Sequence, residues 1–80
     1  MKDLKVLINR DSFHEIQDYF LSKGIKWDSS GLVTRNYKED WICLYYRAKS
    51  KTIQCGIHKY NFDSDVAKQV SVQEFKNKIV

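Results

Sequence analysis

Apolar positions along the chain follow two periods, and the switches between them outline the elements. "KVLI" (Lys5–Ile8) is a short near-continuous apolar run and reads as a first strand. In "SFHEIQDYFLSKG" (Ser12–Gly24), Phe13, Ile16 and Phe20 recur at helical spacing. Ser12 followed by Glu15 reads as a capping box, and Gly24 offers the left-handed residue that ends a helix. In "GIKWDSSG", Ile25 and Trp27 point to one face of a brief strand, and "DSSG" is turn chemistry. Residues 32–40 fit an irregular strand or a long loop equally.

"WICLYYR" and "KTIQCGIH" then predict a central hairpin joined through "AKSK". In its second strand Ile53, Cys55 and Ile57 alternate with Gln54, Gly56 and His58. The first strand is apolar on both faces, with Ile42, Leu44 and Tyr46 opposite Trp41, Cys43 and Tyr45. Such a strand belongs at the centre of a sheet covered on both sides. "KQV" is a last short strand. In "VSVQEFKNKIV", Ser71 and Glu74 form a second capping box, with Val70 and Phe75 at the staple positions of a terminal helix from Val72. The expected fold is a single α+β domain over residues 1–80: a small, mostly antiparallel sheet with a central β-hairpin and two short helices on one face. Two helices leave one apolar sheet face uncovered, which predicts either a homodimer or a waiting partner protein.

Composition adds compartment and class. The chain is an ordinary globular mixture, 42% hydrophobic and 30% charged. No signal peptide or membrane span is visible, and two cysteines make no disulfide framework, so a cytoplasmic location is expected. A single Cys43–Cys55 bridge stays open. Charge is uneven: residues 1–30 and 61–80 are each neutral, so the net +4 lies wholly in the middle third. From Trp41 to Phe62 there is no carboxylate.

The stretch "YFLSKGIKWDSSG" (Tyr19–Gly31), then a hairpin, then "VSVQEFKNKI" (Val70–Ile79), resembles small accessory proteins of tailed bacteriophages and prophages. In these a helix ends in glycine, a G-x-x-W-x-S-G-like segment follows, and an S-V-x-E-F helix closes the chain. The resemblance implies phage origin and a counter-defence role: sequestering a nucleotide signal, mimicking or binding nucleic acid, or blocking a host protein. It carries over no catalytic residue.

Chemistry narrows the choice. Cys43, Cys55 and His58 are the one soft-ligand set, but alternation sends Cys55 and His58 to opposite faces, so no metal or other cofactor is expected. Neither cysteine has the surroundings of a nucleophile, His14 and Asp18 fit a surface helix pair, and the three glycines are isolated, so no enzyme is expected. The basic aromatic middle remains. Cations attract phosphate and aromatic rings stack on bases, which makes Arg35, Lys38, Trp41, Tyr45, Arg47, Lys49, Lys51, His58 and Lys59 the expected ligand-binding residues. The function expected is a non-enzymatic binding module for a nucleotide or nucleic acid. The alternative is an inhibitor that docks on a host protein through the aromatic sheet face.

Overall fold

Asn9, rather than Ser12, starts the first helix. Its side chain accepts from the Ser12 amide at 2.9 Å, while the Ser12 hydroxyl accepts from the Asn9 amide at 2.8 Å. A reciprocal box thus exists, shifted three residues upstream, because Asn caps as well as Ser. The computed structural model describes residues 2–79, with Ile79 described by its backbone alone. Val80, the last residue of the segment expected to be helical, lies outside the described residues.

The elements are β1 (Leu4–Leu7), α1 (Arg10–Ser22), β2 (Lys26–Trp27), β3 (Cys43–Arg47), β4 (Thr52–Gly56), α2 (Lys59–Ser64), β5 (Lys68–Gln69) and α3 (Val72–Ile79). Gly24 ends α1 at φ +80°, with its amide on Leu21 O and the Ile25 amide on Phe20 O. That is the paired closure which the left-handed glycine permits. Ser71 caps α3, taking the Glu74 amide at 3.2 Å, and Val70 and Phe75 are both buried at the staple positions.

The strands form one α+β sheet in the order β2-β4-β3-β1-β5. The central pairings β1–β3 and β3–β4 are antiparallel, whereas the outer ones, β2–β4 and β1–β5, are parallel. The sheet is therefore mixed: its long central pairings are antiparallel, as expected, and only the two-residue edge strands, each returning after a helical crossover, pair in parallel.

α1 and α3 cover one face. Phe13, Ile16 and Phe20 meet Leu4, Val6, Leu44, Tyr46, Ile53 and Phe75 in the main core. The Phe20 and Phe75 rings stack at 5.3 Å between centroids. The other face is not open. α2, a third helix, lies over it and buries Phe62 against Cys43 and Tyr45; the two helices expected on one face are there, but the opposite face expected to be bare is covered. The expected division of apolar residues also fails at the start of the hairpin. Trp41 stays with Phe13 on the α1 side, and Ile42 joins Cys43 and Tyr45 beneath α2. A turn bond from the Trp41 amide to Lys38 O (2.9 Å) places this pair ahead of the regular strand, where alternation does not yet hold.

Two cations fasten α2. Lys5 is 6% exposed, and its ammonium donates to Phe62 O and, at 2.9 Å, to Asp65 O. These carbonyls at the helix end otherwise lack partners. Arg47 forks onto the Asp65 carboxylate at 2.9 and 3.3 Å, touches Asp3 at 3.4 Å and donates to Gln54 at 3.1 Å. Gly56 completes this face: a Cβ there would stand 2.5 Å from Cys43 Sγ and 2.8 Å from the Tyr45 ring.

Candidate functional site: a guanidinium held on two indoles

The site grows from a polar residue on the buried stripe of α1. Gln17 is fully buried between Phe13 and Phe20, and a buried amide needs partners for all its polar atoms. It finds them in the chain after β2. Nε2 donates to Arg35 O at 2.9 Å, while Oε1 accepts from Arg35 N at 2.7 Å and from Trp27 Nε1 at 2.9 Å. The segment expected to be irregular is thus pinned at Arg35 as a strand neighbour would pin it.

Pinning the backbone aims the side chain. The Arg35 guanidinium lies 4.9 Å from the centre of the Trp41 ring and 5.3 Å from that of Trp27. Cation–π contacts of this kind hold a guanidinium flat and leave its N–H edges free. Arg10 pairs with Glu39 and Arg47 with Asp65 and Asp3, but Arg35 has no carboxylate within ion-pair reach among the described residues. It lines an open groove of about 430 Å³ that runs between the 28–42 segment and β4. Asp28 enters the same groove, held by Gln54 Nε2 at 3.2 Å. Cys55 forms part of the wall, and burial pushes its thiol up to about 11 although Arg35 opposes the shift.

The nine residues named from the sequence separate. Arg35 and Trp41 come together in the groove, with the Lys38 ammonium 5.8 Å from the centre of the Trp41 ring. Trp41 is nearly buried and Tyr45 lies under α2, so neither offers a free face to a base. Arg47 is committed to Asp65 and Asp3. Lys49 and Lys51 are exposed at the hairpin tip, outside the groove lining. His58 is exposed just before α2 and borders a second depression of about 310 Å³, on the α2 side. Lys59 pairs with Asp63 at 2.5 Å. Cys43 and Cys55 are free thiols on opposite faces of the sheet, Cys43 toward Phe62 and Cys55 against the main core.

Asp28, Gln17 and Gln54 were missed from the sequence. Gln17 did leave a signal, since it interrupts an otherwise apolar helical stripe at the position four after Phe13. Asp28 and Gln54 left none, because their convergence depends on the parallel β2–β4 pairing.

Compared with protein-family models, curated proteins and solved structures, the chain matches none. The likeness to phage accessory proteins thus gains no support from these comparisons.

Proposed function

We propose that the protein is a non-enzymatic binding module whose groove takes a small anionic ligand, with a nucleotide as the best fit. The observation that carries this reading is Arg35: a guanidinium with no carboxylate partner, oriented by two indoles and clamped through its backbone by buried Gln17. A planar fork of this kind suits phosphate oxygens. Asp28 refines the choice. A carboxylate in the same groove repels a long polyanion but accepts hydrogen bonds from the amino or ring N–H groups of a base. A nucleotide supplies both halves, so the reading favours it over nucleic acid. Sequestration of a signal nucleotide is the corresponding role if the likeness to phage proteins holds. The alternative of a host-protein inhibitor loses its aromatic surface, because Cys43 and Tyr45 lie beneath α2, and the case for a homodimer weakens for the same reason.

Calorimetric titration with a panel of mono- and dinucleotides tests the proposal. Saturable binding is expected, weakened at least tenfold in Arg35→Gln and altered in base preference in Asp28→Asn. Equal affinity in Arg35→Gln, or tighter binding of a single-stranded oligonucleotide than of any mononucleotide, would overturn it.

A further inference from the structure

At the far edge of the sheet, three lysines from separate parts of the chain converge. Lys2 precedes β1, Lys68 lies on β5 and Lys78 is in the last turn of α3. The parallel pairing sets Leu4 opposite Lys68, and the Lys68 amide bonds to Asp3 O at 3.0 Å. Together Lys2, Lys68 and Lys78 ring a depression of about 370 Å³ with Leu4 on its wall.

Among the described residues the nearby acids neutralise them only in part. Asp3 turns away, to the Ala48 amide at 2.8 Å and to Arg47. Glu74 pairs with Lys78 at 3.8 Å and meets one of the three charges in part, and Lys76 is drawn off to Glu15 at 2.9 Å. The Lys68 ammonium is held below the usual lysine range, first by the neighbouring Lys78. The partial negative charge at the end of α3, roughly half a unit, offsets only part of three full charges.

We infer that the Lys2–Lys68–Lys78 depression is a second anion site, built for a compact multiply charged anion of the pyrophosphate class. Such an anion bridges three ammonium groups from different elements and relieves their repulsion. A singly bridging anion leaves at least one of them facing another. The site is independent of the Arg35 groove and lies at the opposite edge of the sheet, beyond β1 and next to β5.

Titration of the labelled protein with inorganic pyrophosphate, followed by amide NMR at low salt, is the test. Saturable shifts are expected at residues 2–4, 68 and 78, with affinity at least fivefold tighter than for orthophosphate. The Lys68→Gln, Lys78→Gln double variant should lose at least tenfold while Arg35→Gln keeps the shifts. Shifts that never saturate, that centre on residues 28–35, or that survive in the folded double variant would each overturn the inference.

Discussion

Gln17 and Arg35 are joined by two antiparallel hydrogen bonds, of 2.9 and 2.7 Å, between one side-chain amide and one residue's backbone. The same amide oxygen also takes the Trp27 indole N–H. Replacing Gln17 by Leu fills the space but orphans three polar groups. A buried unsatisfied group costs about 1–3 kcal/mol; the Trp27 indole N–H is buried and the two Arg35 groups are part-buried, so we expect chemical denaturation to show a loss of about 1–3 kcal/mol. Unchanged stability would mean that water replaces the amide at no cost and that Arg35 is not held by Gln17.

Phe20 and Phe75 stack between the two helices and have no exposed surface. Either Phe→Ala change should cost about 3–5 kcal/mol, a large share of what a domain of this size holds. Because the rings touch, the double variant should lose less than the sum of the singles. Additive losses in urea denaturation would place the rings in separate environments.

At Gly56 the limit is space, not backbone conformation. Gly56→Ala drives a methyl into Cys43 Sγ and the Tyr45 ring, and overpacking of this kind costs about 1–3 kcal/mol. Cys43→Ala should recover part of that loss, so a double-mutant cycle on melting temperature is expected to show favourable coupling.

Asp65 gives the protein an acid limb. Its carboxyl is held below the usual carboxylate range, first by the Arg47 guanidinium and then by the Ala67 amide, against the opposing effect of burial. A depressed native value means that near pH 4 the unfolded chain binds more protons than the folded one. The stabilisation is therefore complete above the unfolded value of about 3.9 and is lost as pH falls through the native value. Asp65→Asn should cost about 1–3 kcal/mol at pH 7 and flatten the stability profile below pH 4. An acid limb of unchanged steepness would assign it to other carboxylates.

Much of the fold was legible because its signals are local. The stripe of Phe13, Ile16 and Phe20, the stop at Gly24, the apolar hairpin strands and the Ser71 cap each need only neighbouring residues. α2 escaped because it has six residues, one apolar anchor in Phe62 and no side-chain cap at His58. Its absence from the reading made Cys43 and Tyr45 look exposed. The site was half legible: a cluster of cations was visible, but which of them are spent on carboxylates depends on Asp3 and Asp65, distant in sequence from Arg47. Charge counted along a chain cannot tell a committed arginine from a free one.

The place of β1 between β3 and β5 has a consequence for how the chain reaches this state. The strand nearest the start of the described chain finds its partners at residues 43–46 and 68–69, and its Lys5 bonds to Phe62 and Asp65. No pair of adjacent segments can complete it, so long loops must close before the central pairing repays their entropy. α1 and the β3–β4 hairpin can form early from local contacts, while β1 waits for both. Folding should therefore be slow for so small a domain. A fragment ending before Val66 should keep helix and hairpin content yet lack a cooperative transition, because β1 would become an edge strand without β5 and the core would lose Phe75 of α3.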